Sequence, residues 1–166
     1  MPHTIAALNR MDQAAFVAAL GAVFEKTPAI AAQAWQQRPF ADRAALQTVM
    51  VQVVDQMAIA AQLELIRAHP DLGSRAQMAA ASVQEQAGAG LNVLSPEEYA
   101  QFQQLNQQYQ HKFGFPFIIA VKRHSKSSIL AAFTQRLQNP LDVERQQALV
   151  EICRIAALRL QDWVED

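Results

Sequence analysis

The sequence predicts an all-α protein, a single-domain bundle of about eight or nine helices that spans residues 1–166. Three observations lead to this prediction. The length of 166 residues suits one domain. The composition of 31 Ala and 22 Gln against 5 Gly favours helices, and apolar residues recur at helical spacing in successive segments. A hydrophobic content of 51% argues against disorder.

The charge and the composition exclude several classes of partner. A formal net charge of −1 provides no large positive surface for nucleic acid or for an anionic membrane. No apolar run approaches the roughly 18–20 residues that a membrane span needs, and residues 1–10 lack the apolar segment of a secretory signal. The single cysteine, Cys153, excludes an intramolecular disulfide. We therefore expect a cytoplasmic protein with no nucleic acid partner and no membrane partner.

Capping residues and prolines divide the first part of the chain into helices. Asp12 and Asp42 are N-cap residue types that each precede an apolar repeat, so each is predicted to begin a helix. Because proline cannot continue a helix, helix ends are predicted at Lys26-Thr27-Pro28, at Arg38-Pro39-Phe40 and before Pro70. The residues predicted to face the core are Phe16, Leu20, Val23, Phe24, Ile30, Ala31, Ala34, Trp35, Leu46, Met50 and Val53.

Two segments, Ser82–Glu85 and Ser95–Glu98, match the S-x-x-E pattern of a capping box. The first is predicted to begin a short helix that ends near Gly88 and Gly90. The second has proline at the favoured first helical position and is predicted to begin a longer helix. The residues predicted on the buried face of that longer helix are Tyr99, Phe102, Leu105 and Tyr109.

The last third of the chain contains one strongly apolar run, Phe113–Val121, followed by two predicted helices. The run suits a buried strand or a buried helix segment, and periodicity does not decide between them. The next helix ends at Asn139-Pro140, and Asp142 is predicted to cap the last and longest one. The residues that mark the first of these two helices are Ile129, Leu130, Phe133 and Leu137.

Arg159 breaks the apolar pattern of the last helix. On a helix of 3.6 residues per turn it lies in the middle of a sector of about 80° that otherwise contains Ala148, Ile152, Ile155 and Trp163. A buried guanidinium is costly unless an anion or several acceptors meet it. Arg159 is therefore paired with an internal carboxylate, or packed by its stem with its head in water, or an anchor for an anionic or carbonyl-rich ligand.

The segment His69-Pro70-Asp71-Leu72-Gly73 places an imidazole just after a predicted helix. Pro70 fixes the backbone, and Asp71 and Gly73 favour a turn. His69 is either a capping or hydrogen-bonded surface residue, or a group that transfers a proton near neutral pH. A metal site is not expected, because His69 and Asp71 alone supply too few ligands.

The segment Ser82–Leu91 contains more than a helix start and a helix stop. A capping box and a glycine stop account for Ser82, Glu85 and one glycine, but not for Gln86 or a second glycine. Small residues there would allow a ligand to approach the backbone closely, and helix-start N–H groups would suit a polar, partly anionic molecule. Glycine and proline within Phe113–Val121 similarly favour an irregular segment whose unpaired backbone groups could face a ligand, although most of that run is expected to be core.

These segments, in this order, resemble the OHCU decarboxylase family. That family acts on 2-oxo-4-hydroxy-4-carboxy-5-ureidoimidazoline (OHCU) and forms (S)-allantoin in the last step of urate breakdown. The resemblance covers most of the chain. The residues that carry it are Glu25, Arg38-Pro39-Phe40, His69–Gly73, Ser82–Leu91, Phe113–Val121 and the ending Leu158-Arg159-Leu160.

The resemblance implies a homodimeric, all-α carboxy-lyase that uses no cofactor and no metal. The family's substrate carries its own electron sink, because its carboxylate lies next to an imine-like ring bond. The resemblance also implies that His69 is the catalytic residue, and it suggests functional coupling to the preceding enzyme, 5-hydroxyisourate hydrolase. The residues implied to bind the ureide substrate are Pro70, Ser82, Glu85, Gln86, Phe117, Ile118, Ile119, Ala120, Val121 and Arg159.

One departure from the family and two alternatives stay open. The stretch between Gly73 and Ser82 is shorter than in animal members, which leaves the loop over the site undetermined. The chain could instead be a non-catalytic helical module that binds a small ureide or a partner protein, with Arg159 as its anchor. It could also be a different cofactor-free lyase or hydrolase that acts on a related cyclic ureide.

Overall fold

Residues 1–74 and 80–166, which the computed structural model describes, form nine α-helices. This confirms the prediction of an all-α fold with about eight or nine helices. The helices are α1 (Ile5–Arg10), α2 (Gln13–Leu20), α3 (Ala29–Trp35), α4 (Arg43–Gln56), α5 (Ile59–Arg67), α6 (Ala80–Gly88), α7 (Pro96–Phe113), α8 (Lys126–Arg136) and α9 (Leu141–Trp163). A 3₁₀ turn, Val121–Arg123, precedes α8.

Two short strands, β1 (His3–Thr4) and β2 (Val164–Glu165), were not predicted. They pair in parallel, with His3 opposite Val164. A strand of two residues is too short to produce an alternating pattern in the sequence, so only the tertiary structure reveals this contact between the two ends of the chain.

The chain divides into two compact units, and a single domain over residues 1–166 stays a prediction. The first unit contains Met1–Leu65 and Cys153–Asp166, and the second contains Ile66–Ile152. The predicted short stretch between Gly73 and Ser82 includes residues 75–79, which lie outside the described residues.

In the first unit, both predicted N-caps are confirmed. The carboxylate of Asp12 accepts a hydrogen bond from the N–H of Ala15 at 2.8 Å, and that of Asp42 accepts from Ala45 at 2.7 Å. Of the residues predicted to face the core, Trp35 is half-buried and the others are buried. The spacing of apolar residues therefore identified the inner faces of α2, α3 and α4.

Helix α2 ends at Leu20, although the apolar spacing predicted that it would continue to Phe24. The carbonyls of Ala22 and Val23 instead accept hydrogen bonds from the guanidinium of Arg159. A longer helix would direct those carbonyls to N–H groups four residues later. A tertiary contact thus replaces the last turn that the local pattern predicted.

In the second unit, the capping box at the start of α7 is confirmed. Ser95 and Glu98 exchange side-chain-to-backbone hydrogen bonds of 3.0 and 3.1 Å, and the Ser95 N–H lowers the pKa of Glu98. Of the four residues predicted on the inner face of α7, Tyr99 and Leu105 are only half-buried. The aromatic rings that pack around Tyr109 are Phe113, Phe115, Phe117 and Phe133.

Two predicted caps are wrong. Ser82 is the third residue of α6, and Asp142 is the second residue of α9. An N-cap residue lies just outside the helix with non-helical dihedral angles, so neither side chain caps its helix. The Ser82 side chain therefore belongs to a helical face, and it is buried.

No single helix of the described ranges is both long enough and apolar enough to cross a membrane. Helices α4 and α5 meet that criterion only as a pair, and the pair is bent by 115°.

Candidate active site

His69 lies in a turn directly after helix α5. Its backbone N–H donates to the carbonyl of Ile66 at 3.2 Å, and the residue is only 8% exposed. The turn continues to Ser74, whose N–H donates to the Asp71 carbonyl at 3.2 Å. His69 is therefore not a surface residue, and the backbone bonds before and after it fix its position.

Gly73 gives this turn a conformation that other residues rarely adopt. Its φ is +67°, and a Cβ built there would lie 2.8 Å from Cδ1 of Leu94. Any side chain at this position would therefore be both strained and crowded.

Two helices hold the turn by side-chain hydrogen bonds. The Oε1 atom of Gln86 in α6 accepts from the N–H of Gly73 at 3.0 Å. The Nδ2 atom of Asn106 in α7 donates to the carbonyl of Leu72 at 2.9 Å. Both amide side chains are buried. The turn that carries His69 is thus fixed to α6 and to α7.

Helix α6 has a buried polar face. Ser82, Glu85 and Gln86 have 5%, 9% and 6% exposure, and their spacing of three and four residues places them on one side of the helix. Packing favours apolar residues on a buried face, so three polar side chains there are unusual. This face is the strongest candidate for contact with a polar ligand.

The two glycines at the end of α6 have different roles. Gly90 adopts a φ of +80°, its N–H donates to Ala87, and the N–H of Leu91 donates to Gln86. This is the glycine-terminated helix end known as a Schellman motif. A Cβ built on Gly88 would meet no atom of the described residues within 4 Å. The helix end therefore explains Gly90, whereas Gly88 borders open space in the described chain.

The segment Phe117–Val121 is buried and irregular. Helix α7 ends at Phe113, and Gly114 follows with a left-handed φ of +74°. Each residue of the segment is 6% exposed or less. The segment forms neither of the two structures that its periodicity allowed, a strand or an α-helix. The irregular conformation that glycine and proline favoured is the one observed.

Two charged side chains hold the backbone of this segment. Nη1 of Arg136 in α8 donates to the carbonyl of Ile118 at 2.6 Å, and Oε2 of Glu151 in α9 accepts from the N–H of Ala120 at 3.0 Å. Arg136 and Glu151 are 7% and 4% exposed. Among the described residues, the N–H and C=O of Ile119, which lies between the two held groups, make no hydrogen bond.

Glu144 organises the surroundings of Arg136. Its Oε1 atom accepts from Nε of Arg136 at 2.6 Å and from the hydroxyl of Tyr109 at 2.5 Å, and its Oε2 atom accepts from Asn139 at 3.0 Å. Burial, followed by the bond to Glu144, raises the pKa of Tyr109 far above its ordinary value. The Tyr109 hydroxyl therefore stays a hydrogen-bond donor at any physiological pH.

Arg159 is buried in the first unit, with 2% exposure. Its Nη2 atom forms an ion pair with Oε2 of Glu25 at 3.1 Å, and its Nη1 atom donates to the carbonyls of Ala22 and Val23 at 3.1 and 3.2 Å. The internal carboxylate, one of the three possibilities that the sequence left open, is therefore present. The role of Arg159 in ligand binding stays a prediction.

Asp71 adds a carboxyl group to the turn that contains His69. Its Oδ1 atom is buried and has no hydrogen-bond partner in the described part of the chain. Burial raises the pKa of this carboxyl above the usual 3.8. Within residues 1–74 and 80–166, no group of three or more His, Cys, Asp or Glu side chains is arranged to hold a metal ion.

The second unit brings three of the predicted segments together. The His69 turn is bonded to α6 through Gln86, and α6 packs against the 3₁₀ turn that ends the Phe117–Val121 segment. Arg159 belongs to the first unit.

Four residues that hold these segments were not predicted from the sequence: Asn106, Arg136, Glu144 and Glu151. Glu151 lies about 40° outside the sector of α9 that singled out Arg159, so the helical spacing did not draw attention to it. Asn106 does interrupt the apolar face of α7, so the same spacing argument would have found it.

A buried histidine next to a buried polar helix face, in an all-α protein, defines a candidate site for acid–base chemistry on a small polar molecule. A family model described as OHCU decarboxylase matches residues 9–161. The chain belongs to the OHCU decarboxylase family, which confirms the family resemblance of its motifs.

Known proteins resemble the chain over nearly its whole length. The 2-oxo-4-hydroxy-4-carboxy-5-ureidoimidazoline decarboxylase of Halalkalicoccus jeotgali is 45% identical over 159 residues, which cover 96% of this chain and 90% of that protein. The uric acid degradation bifunctional protein of Bacillus subtilis is 42% identical over 159 residues, which cover 96% of this chain and 32% of that protein. A crystal structure of (S)-allantoin synthase matches with a TM-score of 0.82 and 27% identity over 99% of this chain. The chain spans 54% of that solved chain.

Proposed function

We propose that this protein is a carboxy-lyase that decarboxylates OHCU to (S)-allantoin, the last step of urate degradation, without a cofactor. The family membership and the names of the relatives support the reaction. The observation that carries the assignment to a site is the hydrogen bond of 3.0 Å between Gln86 and Gly73. It joins the turn of His69 to the buried polar face of α6.

The chemistry of the substrate suits such a site. The carboxylate of OHCU is on a carbon next to an imine-like ring bond. When the bond to the carboxyl carbon breaks, its electron pair forms a double bond to the neighbouring ring carbon, the imine electrons move onto the ring nitrogen, which is protonated, and CO2 leaves. The resulting enol becomes the carbonyl of allantoin when the 4-hydroxyl group loses its proton and the neighbouring ring carbon takes one up. The residues therefore have to bind and orient the ureide, stabilise the charge on the ring and manage one proton.

His69 is proposed to manage that proton. It either takes the proton of the 4-hydroxyl group or supplies one to the carbon after CO2 leaves. Imidazole suits both tasks near neutral pH. The burial of His69 and its fixed backbone support this role, because a proton-transfer group has to be held in a defined position.

The substrate-binding roles follow from hydrogen-bonding capacity. We propose that Glu85 and the amide N–H groups of Gln86 hold the ureido N–H and C=O groups and fix the face that is protonated, with Ser82 on the same helical side. Pro70 borders the substrate. The backbone of Phe117–Val121 supplies further hydrogen bonds and an apolar wall that excludes water.

Arg159 is proposed to hold ring carbonyl oxygens, where negative charge develops. A guanidinium suits this role because it presents several donors in a rigid plane. Its ion pair with Glu25 and its bonds to two backbone carbonyls fix the orientation of that plane.

We also propose a cytoplasmic homodimer that is functionally coupled to 5-hydroxyisourate hydrolase, the enzyme that supplies OHCU. The similarity to a uric acid degradation bifunctional protein supports the coupling, because that relative combines two functions of uric acid degradation in one protein. Sedimentation equilibrium tests the dimer. A mass of one chain, 18.4 kDa, would contradict it.

The decisive experiment follows optical activity. OHCU is generated in situ, and circular dichroism monitors (S)-allantoin with and without the protein. Because OHCU is expected to decay unaided to racemic allantoin, optical activity separates catalysis from the background reaction. We expect rapid formation of the S enantiomer by the wild type and a loss of about 10²–10⁴-fold in His69→Ala.

His111→Ala is the matched control, because His111 is exposed on α7. It should keep wild-type turnover, and both variants should keep the helical far-ultraviolet spectrum. An optically silent product formed at the background rate would indicate a ureide-binding module or an enzyme for another cyclic ureide. Wild-type turnover in His69→Ala would contradict the role of His69.

A further inference from the structure

The segment Phe117–Val121 is held by buried charges at two points. Arg136 binds the carbonyl of Ile118, and Glu151 binds the N–H of Ala120. These two groups belong to consecutive peptide units, the one that joins Ile118 to Ile119 and the one that joins Ile119 to Ala120. Each charged side chain therefore holds one end of one peptide plane.

The planarity of the peptide bond determines where the other ends point. In a trans peptide unit, the C=O and the N–H point in opposite directions, and the cis bond of the described chain is at Arg38–Pro39, outside this segment. The N–H of Ile119 thus points away from Arg136, and the C=O of Ile119 points away from Glu151. These are the two groups that make no hydrogen bond among the described residues.

Burying two charged side chains only to form hydrogen bonds with two backbone groups would cost desolvation free energy. Desolvation of a buried ion pair can exceed the attraction between its members, and a neutral side chain could also pair with a peptide group. Charged partners make shorter and more strongly directed hydrogen bonds. Here the carboxylate of Glu144 holds Arg136, and the amide of Gln147 donates to Glu151 at 3.2 Å. Both holding groups are themselves fixed.

We propose that Arg136 and Glu151 are positioning residues that aim the N–H and C=O of Ile119 at the ureide of the substrate. This inference rests on the proposed function. Ile119 offers one donor beside one acceptor, and an –NH–C(=O)– unit of a ureide offers the complementary acceptor and donor. The two charges act through the backbone and do not touch the substrate themselves.

The test compares two substitutions at Glu151. Glu151→Leu has no acceptor for the N–H of Ala120, whereas Glu151→Gln keeps an acceptor oxygen and loses only the charge. Tyr109→Phe is the stability control, because it removes one hydrogen bond to Glu144 and leaves the Arg136 contact to Ile118 in place. For each protein, kcat and KM are measured from the rate of (S)-allantoin formation, and Tm is measured alongside.

We expect Glu151→Leu to lose about 10–100-fold in kcat/KM, chiefly through KM, because misplaced binding groups weaken the complex. Glu151→Gln should lose about three- to tenfold, an intermediate effect, because an acceptor oxygen remains but the charge that strengthens and directs the hydrogen bond is gone. Tyr109→Phe should lower Tm with an unchanged KM. If Glu151→Leu does not fold, Arg136→Lys takes its place, because one ammonium cannot reproduce the directions of a guanidinium.

The outcomes separate this inference from the proposed function. A wild type that forms no (S)-allantoin overturns the proposed function and the inference together. If the wild type is active but KM is unchanged in folded Glu151→Leu, the inference alone is overturned. The same holds for Arg136→Lys when that variant is used. A KM that rises equally in Tyr109→Phe also overturns it, because general loosening of the second unit would then explain the loss.

Discussion

Each of the two units contains a buried Arg–Glu pair, and the two pairs are built differently. In the first unit, the guanidinium of Arg159 is bound by acceptors that include the Glu25 carboxylate and the carbonyls of Ala22 and Val23. In the second unit, the Glu144 carboxylate accepts from three side chains, those of Arg136, Tyr109 and Asn139. One pair therefore surrounds a cation with acceptors, and the other surrounds an anion with donors.

Both arginines hold backbone that has left regular structure. Arg159 binds the chain just after α2, and Arg136 binds the irregular segment before the 3₁₀ turn. Irregular buried backbone leaves carbonyls without helical or strand partners. A guanidinium with several directed donors satisfies them and still reaches a carboxylate. Each buried arginine of these pairs thus binds irregular backbone as well as a carboxylate.

The largest expected effect comes from removing the central anion. Glu144→Ala leaves three donors without their common acceptor, so the free energy of unfolding should fall by about 3–5 kcal/mol. In a chain of this size, this corresponds to a decrease in Tm of roughly 10 °C. Glu25→Ala should cost less, about 1–3 kcal/mol, because Arg159 keeps two carbonyls. Urea denaturation of both variants measures the difference, and equal losses would contradict the distinction between the two pairs.

The next prediction separates the two arginines by function. Arg159→Lys should lower kcat by about 10²–10³-fold if Arg159 stabilises charge on the ring. Arg136→Lys acts through backbone positioning and should chiefly raise KM. Steady-state kinetics of (S)-allantoin formation distinguish these patterns. A wild-type kcat in Arg159→Lys would leave Arg159 with only the structural role that its bond to Glu25 already shows.

A smaller effect is expected at Asp71, a carboxyl that lacks an arginine partner among the described residues. Burial raises its pKa above 3.8, so the native state binds this proton more tightly than the unfolded chain does. The resulting stabilisation is complete below pH 3.8 and is lost as the pH rises through the native pKa. Above its native pKa the ionised Asp71 therefore destabilises the fold relative to its protonated form.

Asp71→Asn should accordingly raise Tm at pH 7, and the gain should disappear in acid. Asp142→Asn is the control, because Asp142 is exposed at the start of α9. Thermal denaturation from pH 3 to pH 8 tests the prediction. An equal Tm for Asp71→Asn and the wild type at pH 7 would contradict it.

The smallest effect concerns Cys153 in α9, the helix that supplies one residue to each buried pair. Burial, followed by the charge of Asp55, raises the pKa of Cys153 to about 11. At pH 8 roughly one thiol in a thousand is then ionised, and only the thiolate reacts. Iodoacetamide should therefore label the native protein roughly 100-fold more slowly than the urea-unfolded chain. Comparable labelling rates would contradict the raised pKa.

The sequence alone determined the helices, because a helix is specified by local signals. Asp12, Asp42 and Ser95 cap the helices that they were predicted to cap, and the apolar spacing identified the inner faces. The motifs around His69, Glu85 and Arg159 also identified the family. In these cases the relevant partners lie within a few residues of one another, or the order of the motifs is itself the signal.

Only the tertiary structure determined which charged side chains form hydrogen bonds with which backbone groups. Arg136 is a positive charge in the last turn of α8, and Glu144 is a negative charge in the first turn of α9. The helix dipole favours each charge where it is, so the sequence explains both residues without pairing them. Ser82 similarly matched a cap, yet its helix begins earlier and turns its side chain to a buried face. Contacts between residues distant in sequence decided these features, and local propensity contains no information about such contacts.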